Sequence, residues 1–306
     1  MALTVAFLVA GLVLLFVGGE GLVRGSVALA SKLGISPLVI GLTVVGFGTS
    51  TPELLVSLSA AFKGAPDIAV GNVVGSNIAN ILLILGVSAL ITPLAIKYSN
   101  LARDLYVMLI ASAGLALLAY IGEANRVSGF ILLVSLIGYV IYAIRNGGDA
   151  DIETETSKGL GTFVIILMIG GGLTGLMVGA NWLVDSSTVI ARTFGVSEAV
   201  IGLTVVAVGT SLPELATSVI AAFRKQSDVA IGNIIGSNIF NIAGILGVTS
   251  IVIPVKISPE IAQFDIVILF AISVLLVATA YFLNSISRIL GFVFLVFYTS
   301  YVLYLF

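Results

Sequence analysis

The sequence contains no cysteine and no histidine among its 306 residues. Their absence excludes disulfides, thiolate or imidazole catalysis, and the zinc and haem sites that are built on these ligands. Charged residues form only 9% of the chain, whereas globular domains contain about 25%. The 13 basic and 15 acidic residues include no basic run, so nucleic acid is not an expected partner. Oxygen atoms are therefore the remaining ligands for a metal ion.

Apolar residues dominate the composition: they form 59% of the chain and give it a mean hydropathy of +1.23. A helix needs roughly 20 apolar residues to cross a bilayer. Stretches of about that length predict ten membrane-spanning helices, at 2–22, 35–62, 68–94, 103–121, 127–144, 161–184, 196–222, 229–254, 264–283 and 287–305. The sequence thus predicts an all-α polytopic membrane protein of the cell membrane.

An internal duplication organises these spans. The segment 34–80 matches 195–241, which lies 161 residues later, at 28 of 47 positions without a gap. We therefore expect two five-helix repeats, 1–144 and 161–306, joined by an acidic linker at 145–160. Because five crossings are an odd number, the second repeat is predicted to be inverted in the membrane relative to the first.

The charges of the loops predict the orientation, since cytoplasmic loops of membrane proteins collect Lys and Arg. With the N-terminus outside, nine basic residues lie in cytoplasmic loops and four lie in outer loops. This distribution places both termini outside the cell and the acidic linker in the cytoplasm.

The motif GTSTPE at 48–53 and its copy GTSLPE at 209–214 each place a glutamate within an apolar run. A charged side chain at the centre of a membrane helix costs about 2.5 to 3.5 kcal/mol, so Glu53 and Glu214 predict a shared polar site. Pro52 lacks an N–H group, and we expect the helix to bend there and to leave carbonyl oxygens unpaired. A kinked packing helix is the alternative interpretation of either motif alone.

A second pair of motifs, GNVVGSNIAN at 71–80 and GNIIGSNIFN at 232–241, combines a GxxxG packing pattern with repeated Asn and Ser. In the first copy, Asn72, Ser76 and Asn80 lie on one helical face. Neutral oxygens beside two carboxylates suit a hard cation such as Ca²⁺, which takes about six to eight oxygen ligands. Hydrogen bonding between helices is the alternative for any single Asn.

The remaining polar residues indicate neither catalysis nor a second site. No GxxxxGK[ST] motif occurs, and no nucleophile and base are arranged near the glutamates, so we expect no enzyme activity and no cofactor. Asp104 and Asp265 are also 161 residues apart, but each opens a predicted span, where an aspartate at the helix N-terminus is ordinary.

With these motifs, the two repeats resemble the α-repeats of the calcium/cation antiporter superfamily, specifically the prokaryotic members of its Na⁺/Ca²⁺ exchanger branch. The resemblance covers the whole chain. It implies a Ca²⁺ site formed by Glu53 and Glu214 with main-chain oxygens of Thr49 and Thr210. It also implies Na⁺ ligands and polar lining at Ser50, Ser211, Ser76, Ser237, the carbonyls of Gly46 and Ala207, Asn80 and Asn241.

The function implied by this resemblance is an antiporter that extrudes Ca²⁺ against inward Na⁺ by alternating access at one midplane site. Ca²⁺, Na⁺ and the bilayer are the expected partners, and no partner protein is evident. An exchanger of H⁺ for Ca²⁺, or for another divalent cation, is the alternative. The resemblance argues against proton coupling, because proton-coupled relatives have a carboxylate where this chain has Gly75 and Gly236. K⁺ dependence is not expected, because Asn241 stands where some K⁺-dependent relatives have Asp. A cation channel and a membrane-embedded hydrolase are further alternatives, although the hydrolase would need a nucleophile near Glu53 and none is evident.

The resemblance also implies that spans 1 and 6 slide against the other eight. Glycines permit close contact between helices. The glycines expected at this contact are Gly18, Gly19, Gly170, Gly171 and Gly172.

Overall fold

The fold was analysed on a computed structural model, which describes residues 2–147, 160–195 and 207–305. Helices dominate the described residues. They are α1 (Ala2–Leu33), α2 (Pro37–Thr49), α3 (Thr51–Phe62), α4 (Pro66–Ile91), α5 (Tyr98–Ile121), α6 (Arg126–Arg145), α7 (Thr162–Thr193), α8 (Ala207–Thr210), α9 (Leu212–Phe223), α10 (Ser227–Val252), α11 (Ile261–Leu283) and α12 (Arg288–Leu305). Four two-residue strands join them: β1 (Leu94–Ala95), β2 (Glu123–Ala124), β3 (Val255–Lys256) and β4 (Ser285–Ile286).

Eight of these helices are long and apolar enough to cross a membrane, and α2 with α3 would make a ninth as one bent span. The tenth predicted span, 196–222, is described only from residue 207, where α9 is apolar but short. The all-α membrane fold is therefore confirmed, while the count of ten remains a prediction. The bounds also differ from those expected, since α1 continues to Leu33 and α7 to Thr193. Helical hydrogen bonding is internal to the chain and does not stop where the apolar run ends.

The two central helices are α4 and α10. In the most apolar stretch of each, 72% and 89% of the residues are buried, against 11–39% in the six other long helices. These two helices carry the GNVVGSNIAN and GNIIGSNIFN motifs. The repeated amides and hydroxyls therefore lie at the centre of the protein, and the apolar outer helices face the surroundings.

Helices α1 and α7 pack antiparallel through glycines. A Cβ added to Gly18 would lie 2.8 Å from the Gly172 carbonyl oxygen, and one added to Gly11 would lie 2.8 Å from that of Gly179. Residue numbers rise along α1 while those of the contacted residues in α7 fall, so the two helices are antiparallel. Three of the expected glycines are not part of the contact between α1 and α7. The described residues leave open space around Gly170 and Gly171, and a Cβ added to Gly19 would meet Ile220 of α9.

The packing role expected for the GxxxG glycines of both motifs is confirmed for Gly232 and Gly236, whereas no described residue of another helix lies within 4 Å of a Cβ added to Gly71 or Gly75. A Cβ added to Gly232 would lie 2.6 Å from the Leu38 carbonyl oxygen, and one added to Gly236 would lie 2.3 Å from the Leu42 carbonyl oxygen. Helix α2 therefore runs parallel to α10 at backbone contact. The segment that corresponds to α2 in the second repeat lies largely at 196–206, outside the described residues.

The short strands connect the two halves of the chain. β1 pairs antiparallel with β4, and β2 pairs antiparallel with β3. The 24-residue helix α5 separates β1 from β2 and is about 36 Å long at 1.5 Å per residue. The two small sheets consequently lie at opposite ends of α5.

Asp104 is not the ordinary helix-terminal aspartate that the sequence predicted. It is fully buried within α5, where its carboxylate accepts hydrogen bonds from Arg103 at 2.6 Å and from the Tyr139 hydroxyl at 3.0 Å. Asp265 likewise accepts a hydrogen bond from the Tyr301 hydroxyl at 2.7 Å. Each aspartate thus joins two consecutive helices, α5 to α6 and α11 to α12. A buried carboxylate needs such partners, because an unpaired one is strongly destabilising.

The close approach of α2 and α10 generates a stability prediction. Gly236→Ala should destabilise the folded protein by about 1–3 kcal/mol, the usual cost of overpacking, because the new Cβ would overlap the backbone at Leu42. Gly138→Ala is the matched control on the exposed side of α6, where the described residues leave open space. Alanine is the better helix former, so the control should not lose stability. The measurement is the Tm of the detergent-solubilised proteins, and an equal Tm for the two variants would contradict the contact.

Candidate functional site

The predicted helix break is confirmed at Ser50, where α2 and α3 differ in direction by 43°. Ser50 leaves the helical conformation, with ψ of 8°, and Pro52 follows in the first turn of α3, where its missing N–H breaks no helical bond. Ser211 has the same conformation before α9, with ψ of 6°. Both glutamates thus occupy the first turn of a helix, where free N–H groups and the helix dipole stabilise a negative charge.

Each carboxylate is bonded by a serine hydroxyl from the opposite half of the chain. The Ser50 hydroxyl donates to Glu214 Oε1 at 2.9 Å, and the Ser211 hydroxyl lies 3.5 Å from Glu53 Oε1. Glu53 is 0% exposed and Glu214 is 1% exposed. The second oxygen of each carboxylate, Oε2, is buried and has no partner among the described residues. In the described part of the chain, the site therefore holds two acidic groups with unused acceptor capacity, and no basic side chain bonds to either.

We expected unpaired carbonyl oxygens at the break, but the carbonyl oxygen of Gly46 is paired. It accepts the N–H group of Ser50 at 3.2 Å and the Ser237 hydroxyl at 3.4 Å. A five-residue π-helical turn, Gly41–Val45, precedes it in α2. The bend is therefore compensated by a hydroxyl from α10 rather than left open. Ala207, its counterpart, begins the described part of α8.

Two asparagines form hydrogen bonds with the main-chain carbonyl oxygens of the glutamates. Asn72 Nδ2 donates to the Glu53 carbonyl oxygen at 2.9 Å and to the Ser57 hydroxyl at 2.8 Å. Asn233 Nδ2 forms the same pair of bonds with Glu214 and Ser218, at 3.3 and 2.9 Å. The Nδ2 atoms of these asparagines thus hold the backbone that follows the break in each half.

The role of the two serines was missed from the sequence. Ser57 and Ser218 lie four residues after the glutamates in both copies, and that spacing was the available signal.

The Thr49 hydroxyl lies 3.1 Å from Asn233 Oδ1 and also donates to the Val45 carbonyl oxygen. Thr210, its counterpart, is half-buried at the end of α8.

The predicted Asn80 and Asn241 are buried at the centre of the molecule. Each bonds an asparagine of the other half: Asn80 Nδ2 donates to Asn238 Oδ1 at 3.1 Å, and Asn241 Nδ2 donates to Asn77 Oδ1 at 3.2 Å. The Oδ1 atoms of Asn80 and Asn241 have no partner in the described part of the chain. They remain available as ligands.

Wide helical turns accompany these asparagines. Five-residue π-helical geometry begins at Asn80 in α4, and a seven-residue π segment, Phe240–Leu246, contains Asn241 in α10. Such turns are rare and occur frequently at functional sites. Nothing in the residue pattern predicted them. Ser76 and Ser237 lie one turn earlier, with 6% and 0% exposure.

The chemistry of this site suits a hard cation. Carboxylate, amide, hydroxyl and carbonyl oxygens are the ligands that Ca²⁺ prefers, whereas thiolate and imidazole ligands are typical of zinc and copper sites. Among the described residues, no group of three or more His, Cys, Asp or Glu could hold a metal ion. Two carboxylates and neutral oxygens are therefore the whole of the charged and polar ligand set that the described site offers.

Known proteins resemble the chain over its full length. The sodium-calcium exchanger NCX_Mj, in a structure soaked with zero Na⁺ and Ca²⁺, matches with a TM-score of 0.88 and 35% identity, over 100% of this chain and 99% of that chain. Sodium/calcium exchanger MaX1 of Methanosarcina acetivorans is 35% identical over 99% of each chain. The inner membrane protein YrbG of Escherichia coli is 37% identical over 90% of this chain and 88% of its own.

The family model described as sodium/calcium exchanger protein matches this chain twice, at residues 3–145 and 164–306. The two matches lie 161 residues apart, which is the offset of the internal duplication. Both halves thus carry the same family unit, and each supplies one of the buried glutamates. The chain belongs to the sodium/calcium exchanger protein family.

Proposed function

We propose that this protein is a Na⁺/Ca²⁺ antiporter that extrudes Ca²⁺ by alternating access at a site formed by Glu53 and Glu214. The observation that carries the proposal is the buried carboxylate pair, in which each glutamate is bonded by a serine of the opposite half. Two carboxylates neutralise one Ca²⁺. Without a cation, two buried negative charges with unpaired oxygens would be strongly destabilising.

The same oxygens form the proposed ligand set. Glu53 and Glu214, with main-chain oxygens of Thr49 and Thr210, hold Ca²⁺. Na⁺ uses Ser50, Ser211, Ser76, Ser237, the carbonyls of Gly46 and Ala207, Asn80 and Asn241. Since the Ser237 hydroxyl donates to the Gly46 carbonyl in this structure, Na⁺ binding between them has to replace that hydrogen bond. Three Na⁺ would exceed the charge of the carboxylates by one, so exchange of that kind would respond to voltage by about 2.3 kcal/mol per 100 mV.

Three contacts support inversion of the two repeats. β3 is the counterpart of β1, 161 residues later, yet β1 lies with β4 at one end of α5 and β3 lies with β2 at the other. The first helices of the two repeats, α1 and α7, are antiparallel. Equivalent elements thus point in opposite directions, as ten spans in two inverted repeats require. The close glycine contact joins α1 to α7, which supports their proposed role as the pair that slides against the other eight spans.

The first prediction concerns the carboxylates. Glu53→Gln and Glu214→Gln should each lower Ca²⁺ flux roughly hundredfold or more, because each removes one of two charges that offset a dehydrated divalent ion. Glu260→Gln, on an exposed surface, is the control and should transport normally. The measurement is Ca²⁺ uptake into proteoliposomes at equal protein content. Normal uptake by either site variant would place the ion elsewhere.

The second prediction concerns the coupling ion. A Na⁺ gradient at fixed pH should drive Ca²⁺ movement without K⁺, because the neutral Ser76, Ser237, Asn80 and Asn241 offer oxygens to Na⁺ but no proton-carrying group. Flux is measured in liposomes with separate Na⁺, H⁺ and K⁺ gradients. Uptake driven by a pH gradient and not by Na⁺ would establish the H⁺/Ca²⁺ alternative, and single-channel currents would establish a channel.

The third prediction concerns orientation. The loop charges place both termini outside and the linker, 145–160, in the cytoplasm. A chain without cysteine allows single-cysteine labelling. In intact cells, a membrane-impermeant thiol reagent should label Glu123→Cys and spare Asp151→Cys, which lies in the linker outside the described residues. The opposite labelling pattern would reverse the topology.

A further inference from the structure

The two amide pairs at the centre of the molecule are equivalent in sequence. Asn77 and Asn80 correspond to Asn238 and Asn241 by the offset of 161 residues. In each pair, Nδ2 of the asparagine proposed to line the site donates to Oδ1 of the asparagine from the other half. All four side chains are at most 1% exposed, so water at the protein surface does not compete for these bonds.

The surroundings of the two pairs differ at one position. Asn238 Nδ2 lies 3.7 Å from Met108 Sδ of α5 and donates to it. The counterpart of Met108 in α11, 161 residues later, is Leu269, which is buried to the same degree but has no acceptor atom. Correspondingly, Asn77 Nδ2 is buried without a partner among the described residues.

Helices α5 and α11 confirm that Met108 and Leu269 occupy equivalent places. Ser112 and Ser273, also 161 residues apart, meet with their hydroxyls 3.2 Å from each other. Each of these serines donates to the carbonyl oxygen of the residue one turn earlier, which is Met108 in α5 and Leu269 in α11. The difference between the two amide pairs therefore comes from the side chain at this position and not from a shift of the helices.

A thioether imposes a direction on hydrogen bonds, because it carries no proton and can only accept. Asn238 must turn its Nδ2 towards Met108, which leaves its Oδ1 for the other half. Asn80 must then offer Nδ2 to that oxygen. The only polar atom of Asn80 that remains is Oδ1, and this atom is buried and unpartnered. Met108 thus determines which end of the Asn80 amide faces away from the pair.

Among the described residues, no acceptor comparable to Met108 Sδ fixes the orientation of the other pair, Asn77 and Asn241. Asn77 and Asn241 can both turn over and still share one N–H···O bond, because each amide has a donor end and an acceptor end. We propose that Met108 is a positioning residue that, through Asn238, holds Asn80 as an oxygen ligand for the transported cation, whereas Asn241 can present either end of its amide. This inference rests on the proposed function, in which Asn80 and Asn241 line the Na⁺ sites.

Two reciprocal variants test this series of contacts from Met108 through Asn238 to Asn80, which we call the relay. Met108→Leu makes the first half like the second, and Leu269→Met makes the second half like the first. Both exchanges conserve volume and should leave the fold intact. Leu115→Met, another buried leucine of α5, is the control for introducing a methionine.

Met108→Leu should raise the half-saturating Na⁺ concentration about three- to tenfold, the value of one hydrogen bond, because the Asn80 amide is no longer held. Leu269→Met should lower it, and the double exchange should return it towards the wild-type value. The half-saturating Ca²⁺ concentration should change less than twofold, since the carboxylates dominate Ca²⁺ binding. Parallel changes for both ions would indicate a packing defect, and unchanged Na⁺ values in both variants would disprove the relay.

A second measurement separates this inference from the proposed function. In ¹⁵N spectra of the ion-free protein, Met108→Leu should shift the side-chain amide signal of Asn238, and Leu269→Met should shift that of Asn77. The signals are assigned by their loss in Asn238→Ser and Asn77→Ser. If wild-type protein transports no Na⁺ or Ca²⁺ while these shifts occur, the proposed function is wrong and the amide orientation stands. If transport is normal and neither signal shifts, the relay is wrong.

Discussion

The structure depends on the burial of two carboxyl groups between the halves of the chain. Glu53 and Glu214 are buried, and each accepts a hydrogen bond from a serine hydroxyl of the opposite half. A neutral hydroxyl satisfies one carboxylate oxygen but does not remove the charge. In the proposed function, a cation supplies the missing positive charge, and ion binding would then be coupled to the association of the two halves.

Placing these carboxylates at the centre requires breaks in otherwise continuous helices. The bend at Ser50 lets Glu53 sit at a helix N-terminus, where the dipole favours negative charge, and Asn72 holds the freed backbone. Glycines then allow α2 to approach α10 at backbone distance, which brings the Gly46 carbonyl to the Ser237 hydroxyl. The break, the brace and the glycine contact act as one unit, because the loss of any of them would leave a polar group unpaired in an apolar interior.

The two repeats differ at equivalent positions that form contacts. Met108 and Leu269 differ in the one property, a hydrogen-bond acceptor, that the neighbouring asparagines need. A second difference lies at the surface, where Glu20 of α1 is bonded to Arg224 after α9, while their counterparts are Asn181 and Lys63. An exposed ion pair contributes little stability.

The sequence by itself determined the membrane class, the duplication and the pairing of Glu53 with Glu214, because apolar length and residue spacing are local properties of the chain. It also predicted the bend before Pro52, since a proline acts on its own helix. Only the tertiary structure decided which oxygens meet: that Ser50 bonds Glu214, that Asn72 braces a backbone, and that Asp104 is buried against Tyr139. These contacts join residues up to 164 positions apart. Their hydrogen bonds depend on how helices cross, which no local pattern of residues specifies.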